Sequence, residues 1–203
     1  MLTNHLASAI EFDKLDWKLG KALKNMIIKV AKVEGSNFKA FNAVSTYDVA
    51  IEEMVAAITD FKKFTTWLEG AEEVTVIKKI DQHSTACYLV HHVPWPYRNR
   101  DAVFVQTVER MSELKVIIKV NLLNSLVPEK EGLVRMTHLE GIWTLENVSD
   151  NKTKVTYQMH IDPAGEVPHS LVNLMLTGIP KNTLNKLHKV DFRKYSDVTP
   201  PLI

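Results

Sequence analysis

From Ala71 to Asp162 the chain alternates apolar and polar residues with period two. Leu114, Val116, Ile118, Val120 and Leu122 share one parity, with Lys115, Lys119 and Asn121 on the other. Val155, Tyr157, Met159 and Ile161 repeat the arrangement against Lys154, Thr156, Gln158, His160 and Asp162. An extended chain turns successive side chains to opposite faces, so the pattern predicts antiparallel strands with one dry face and one wet one. The polar stretches Ile80 to Ser84 and Val148 to Thr153 have the length and chemistry of hairpin turns. Upstream, Met26 to Val33 and Phe38 to Ser45 read as two further strands joined by Glu34-Gly35-Ser36-Asn37. In all, about seven strands are predicted.

Helical spacing appears at both ends and once between. Ile10, Leu15, Trp17 and Leu19 suggest a short amphipathic helix from about Ala7 to Lys18, within residues 1–20. Asp48 is placed to cap a helix running to about Thr59, with Ile51, Met54, Val55 and Ile58 on one stripe and Glu52 and Glu53 near its positive end. A second short helix is expected over Phe61 to Leu68. After the turn Asp162-Pro163-Ala164-Gly165, apolar residues recur at helical spacing from Leu171 to Val190, predicting one long C-terminal helix over about residues 166–194. At 1.5 Å per residue it would be roughly 40 Å long, bent at Pro180. The expected class is therefore α+β: a strongly curved antiparallel sheet wrapped around a long C-terminal helix, with two short helices.

The 203 residues, 45% of them hydrophobic, suit one domain over 1–203. With 25 Lys and Arg against 24 Asp and Glu, there is no global field for a polyanion, so nucleic acid is not an expected partner. Cys87 is the single cysteine, which excludes an internal disulfide and a cysteine-cluster metal site. No run reaches the roughly 18 to 20 apolar residues of a membrane span. Met1 to Gly20 carries Glu11, Asp13 and Asp16 and lacks the apolar core of a signal peptide. The protein reads as cytoplasmic, or as exported if a signal peptide has been removed.

The densest local signal is Pro94-Trp95-Pro96-Tyr97-Arg98-Asn99-Arg100-Asp101. Its two prolines remove two amide donors and fix two φ angles, making a stiff entry to the strand that follows. Arg100 and Asp101 are adjacent in that strand, so they face opposite sides and each needs its own partner. The one that faces inward calls for a buried salt bridge or a ligand head group, the structural role taking precedence. His91 and His92 likewise face opposite ways and cannot both ligate one ion. They read as surface or hydrogen-bonded core histidines, and Glu140 shares a face with His138 and could orient it. There is no glycine-rich phosphate loop, nucleophile elbow or metalloprotease helix, and no metal or cofactor is expected.

In this order and spacing the motifs resemble the START lipid-transfer family, within the wider group of helix-grip folds. The resemblance rests on Pro94-Trp95-Pro96 followed by Asn99-Arg100-Asp101, and on Gly165-Glu-Val-Pro168, Leu171-Val172-Asn173, Pro180, Thr183-Leu184 and Leu187. Trp17, Trp67 and the strand around Trp143 to Leu145 fall in family order, so it spans nearly the whole chain. It implies a curved sheet gripping a C-terminal helix, with a hydrophobic tunnel for one lipid-like molecule between them. Some relatives carry an acid-arginine pair on neighbouring tunnel strands; here Ser84 to Val93 has no acid, so that pair does not carry over.

A non-catalytic carrier of a lipid or other hydrophobic small molecule is the leading expectation, with transient contact to a membrane surface. Arg100, Val116, Ile118, Val120, Tyr157, Met159, Leu171, Leu174, Met175 and Ile179 are the expected ligand-binding residues, and no catalytic residue is expected. An enzymatic alternative, cyclase/aromatase-like or hydrolase-like, would draw on Arg100, His91 or His92, Tyr88 and His138 in the same cavity. A third reading makes the Trp95–Tyr97 loop an interaction surface.

Overall fold

The computed structural model describes residues 9–198. Its strands are β1 (Lys18–Leu23), β2 (Met26–Lys32), β3 (Lys39–Tyr47), β4 (Ala71–Lys79), β5 (Ser84–His91), β6 (Arg100–Ser112), β7 (Lys115–Leu122), β8 (Val134–Arg135), β9 (His138–Ser149) and β10 (Lys152–Asp162). They form one sheet in the order β1-β2-β3-β10-β9-β7-β6-β5-β4, with β8 added in parallel to β6. All neighbours along the main path pair antiparallel. The sheet is curved and open, and α1 (Ile51–Thr59), α2 (Phe64–Trp67), α3 (His169–Met175) and α4 (Gly178–Leu187) complete the α+β helix-grip architecture.

The N-terminal helix is not what forms. Among the described residues, Phe12–Lys14 makes a single 3-10 turn and β1 begins at Lys18. Leu15, Trp17 and Leu19 mimic helical spacing, but β1 is an almost fully exposed edge strand with no buried face to impose period two. The part of the expectation that falls on residues 1–8 lies outside the described residues. The cap of helix α1 lies two residues beyond the expected one: Ala50 is the N-cap, and its N–H donates to Glu53 Oε2 at 3.3 Å. Asp48 instead lies 3.4 Å from Lys152 Nζ.

The long C-terminal helix is broken. α3 ends at Met175, α4 begins at Gly178, and a separate 3-10 turn covers Phe192–Tyr195. Pro180 falls in the first turn of α4, where its missing N–H would have had no helical partner, so it starts a helix instead of bending one. Polar contacts dock both pieces. Asn173 Oδ1 accepts from Lys39 N at 2.9 Å, and Tyr47 OH donates to Leu184 O at 3.0 Å. Lys186 Nζ meets Glu69 Oε2 at 2.6 Å, and Asn182 Nδ2 donates to Glu69 Oε1 at 3.0 Å.

Alternation along β6 sorts its side chains onto two cores. Ala102, Phe104 and Val108 join the main core under the helices, while Val103 packs with Tyr88 and Val90 in a satellite cluster on the other face. Leu126, Val127 and Leu133 from the β7–β9 connection cover that cluster. Asp101 ties the connection down. Arg135 donates to it twice, Nε to Oδ1 at 2.9 Å and Nη2 to Oδ2 at 2.8 Å, and Tyr88 OH donates to Oδ2 at 3.0 Å. Arg135 also donates to the carbonyls of Val127 and Pro128. Burial pushes the Asp101 carboxyl up, but the Arg135 and Tyr88 hydrogen bonds outweigh it and hold it below the usual carboxylate range. Its stabilisation is present above the unfolded value of about 3.9 and lost as pH falls through the lower folded value.

Breaking this pair from one side should be costly. Asp101→Asn is expected to lower unfolding free energy by about 3 to 5 kcal/mol in urea titration, because it strands Arg135. Replacing both partners together, Asp101→Leu with Arg135→Met, should cost much less, and equal losses in the two variants would contradict the assignment.

His160 gives a pH prediction. It is buried on the outer side of β10, with Nε2 3.0 Å from Ser36 Oγ and 3.2 Å from Phe38 O, and its ring stands edge-on to His138. Burial, then the neighbouring His138, push its pKa down from 6.5 to about 4. Between those values the unfolded chain takes up a proton that the folded chain refuses, so stability falls as pH drops through that window. His91 and His188, also pushed down by burial, act in the same sense. His160→Gln should make the fall in denaturation midpoint between neutral and mildly acid pH shallower without abolishing it; an unchanged slope would rule the residue out.

Candidate functional site

Between the concave face of the sheet and α3–α4 lies a cavity of about 440 Å³. Phe41, Leu89, Met136, Leu139, Tyr157, Met159 and Ile161 supply its sheet side, and Val167, Leu171, Met175, Leu176 and Ile179 its helix side. The β5–β6 connection closes the rim through Pro94, Trp95, Pro96 and Tyr97. Trp95 is 91% exposed there, an aromatic side chain held outward by a short proline-rich loop.

The expected ligand-binding residues divide by height along the strands. Arg100, Tyr157, Met159, Leu171, Met175 and Ile179 line the cavity. Val120 instead walls a smaller inner void of about 50 Å³, which shares Leu68, Leu89, Leu139, Tyr157 and Met159 with the main cavity. Val116 and Ile118 face inward as expected but are fully buried in solid core. Their cross-strand partners on β9 are Leu145 and Trp143, both bulky, whereas the partner of Val120 is Gly141. The side chain of Leu174 lies outside the described residues.

Gly141 also explains the position of Met159, its partner on β10. A Cβ at Gly141 would collide with Met159 Sδ, so the glycine is the space into which this flexible wall residue leans. Behind Met159 the aromatic rings form a continuous floor. Trp143 stacks on Tyr157 at 3.7 Å, Tyr157 meets the edge of Phe41 at 5.0 Å, and Trp67 meets Trp143 at 5.9 Å.

Charge in the wall is sparse. Glu69 is held by Lys186 and Asn182, and the Lys186 hydrogen bond keeps its carboxyl below the usual range despite partial burial. His91 is half-buried against Gly70 with Nε2 3.1 Å from Glu69 O, and desolvation pushes its pKa down. His92 turns outward, with Nδ1 3.1 Å from Glu72 Oε1.

Arg100 is 2% exposed. Its Nε donates to Pro163 O at 3.2 Å, its Nη2 to Ala164 O at 3.1 Å and its Nη1 to Arg98 O. Among the described residues it makes no ion pair, and burial together with Arg98 pulls its pKa down. The turn that receives it is shaped by Ala164 and Gly165, both at positive φ, with Asp162 Oδ1 accepting from Ala164 N at 2.9 Å. Arg100 thus braces the β5–β6 loop against the β10–α3 turn at the cavity rim.

Two residues considered for catalysis are elsewhere. Tyr88 faces the satellite cluster, and His138 sits outside the cavity wall, 3.7 Å from Glu140 Oε2. Sequence reasoning missed Phe41, Leu89, Met136, Leu139 and Trp67: Leu89 sits in a continuous apolar run and Met136 in a loop, while Phe41 and Leu139 lie on strands whose inward face carried a readable parity. Gln106 was also missed, although a polar residue at the inward parity between Phe104 and Val108 was a readable signal. Among the described residues, no group of three or more His, Cys, Asp or Glu could hold a metal ion, and no helix is long and apolar enough to cross a membrane.

Comparison with known proteins gives one consistent result. A model of the START domain family matches residues 2–190. An uncharacterised protein of Pseudomonas aeruginosa is 30% identical over 172 residues, covering 85% of this chain and 85% of its own. Among solved structures, a STAR-related lipid transfer protein from Xanthomonas axonopodis is similar with a TM-score of 0.80 and 29% identity, over 87% of this chain and 98% of its own. Human STARD10 shares the fold at a TM-score of 0.78 and 20% identity, over 88% of this chain and 74% of its own.

Proposed function

Since this chain belongs to the START domain family, we propose that it is a non-catalytic carrier, taking one lipid or other hydrophobic small molecule out of water into the cavity beneath α3 and α4. The observation that carries this reading is an apolar cavity with one cationic group, Arg100, braced at its rim. Each methylene buried there contributes about 0.8 kcal/mol, so useful affinity needs no reactive group. Arg100, Tyr157, Met159, Leu171, Met175 and Ile179 are the proposed ligand contacts. At about 30 Å³ for a water-sized group, the 440 Å³ cavity holds about fifteen of them, which favours a single-chain or compact polycyclic lipid over a two-chain phospholipid.

Cargo exchange takes place at a membrane surface, with Trp95 entering the interface and the α4 contacts to Glu69 opening. An exposed aromatic at the mouth of an apolar cavity supports this arrangement. Of the residues the enzymatic alternative would draw on, Tyr88 and His138 lie outside the cavity, while Arg100, His91 and His92 line it but are engaged by backbone carbonyls, Glu69 O and Glu72 respectively.

Displacement of a cavity-bound fluorescent fatty acid tests the reading. Ile179→Trp, which fills the helix side of the cavity, should weaken binding at least about tenfold while retaining a cooperative thermal transition. Trp95→Ala should slow lipid transfer between vesicles and leave the dissociation constant nearly unchanged. Wild-type affinity in Ile179→Trp would show that ligand binds elsewhere.

A further inference from the structure

Two side chains that line the inner void carry buried polar atoms with complementary needs. Among the described residues, Trp67 Nε1 is a donor without an acceptor and Gln106 Oε1 an acceptor without a donor. Both side chains line the void, and they are 2% and 3% exposed. Neither can easily turn away. Gln106 Nε2 donates to Ile58 O at 3.3 Å, which fixes the amide so that Oε1 is the free atom. The Trp67 indole is wedged between the rings of Phe64 at 4.9 Å and Trp143 at 5.9 Å. Buried polar atoms left unmatched are costly and uncommon, and a single hydroxyl, which both accepts and donates, would satisfy the two at once.

Gln106 stands on the same inward face of β6 as Arg100, six residues further along. At about 3.3 Å per residue the two lie roughly 20 Å apart along the strand, with an apolar wall between them. We infer that Trp67 and Gln106 form a hydroxyl-binding subsite, and that the cargo is a lipid of about that length carrying a hydroxyl at its leading end. The inference rests on the carrier reading of the same cavity. Met159 and Tyr157 line both spaces, so the flexible Met159 side chain is the part of the shared wall that would move aside to join them. A trapped water is the other source of a hydroxyl, since a void of about 50 Å³ can hold one.

Calorimetric titration with ω-hydroxyhexadecanoate and hexadecanoate separates these cases, because the two share a carboxylate and a chain and differ only at the terminal hydroxyl. The hydroxylated acid should bind wild-type protein at least about tenfold more tightly. That ratio should collapse toward one in Gln106→Leu, and should also fall in Trp67→Phe, which keeps the ring and removes the donor. Equal binding of both acids by the wild-type protein would overturn the inference and leave the pair as a water site; this comparison needs no variant to fold. Failure of both acids to displace anilinonaphthalene sulfonate from the cavity would sink the carrier reading, and the subsite with it.

Discussion

Successive side chains of an extended strand must point to opposite faces, and on β6 this constraint organises the molecule. Asp101 is sent outward, where Arg135 and Tyr88 meet it and fasten the β7–β9 connection over the satellite cluster. Arg100 is sent inward to the cavity rim, where three backbone carbonyls hold its guanidinium. Two charges adjacent in sequence thus do separate jobs. The outer charge is neutralised by Arg135 and serves stability, whereas the inner guanidinium meets only backbone dipoles.

The cavity follows from a mismatch between sheet and helices. Many strands contribute inward apolar residues, yet the C-terminal segment covers them with two short helices separated by Leu176 and Thr177. Where bulky residues face each other across β7 and β9, as Val116 does with Leu145 and Ile118 with Trp143, the interior is solid. Where Gly141 stands opposite Val120, the packing opens and Met159 leans into the space. A single glycine in a strand therefore marks the boundary between solid core and void.

Much of this was legible in the chain. The period-two runs located β7 and β10 and the parity of their inward residues, and the Asp162 to Gly165 turn located the end of the sheet. The split between Arg100 and Asp101 followed from alternation alone. What escaped depends on tertiary context. Edge strand β1 has no buried face and so no period-two signature, and the helix break before Gly178 interrupts a continuous apolar stripe. How far along each strand the cavity extends depends on which residue stands opposite, which parity does not encode; Val116 and Ile118 were placed on the right face at the wrong height.

One strand thus carries the outer pin, the rim cation and the inner amide, and the proposed carrier role rests on where alternation places them. Native mass spectrometry of the protein purified without added lipid tests this most directly. The intact chain should carry one bound lipid-sized mass, released as a single species on activation and lost in a cavity-filled variant. A spectrum showing only the bare chain, unchanged after incubation with lipid vesicles, would contradict the reading of this cavity as a carrier site.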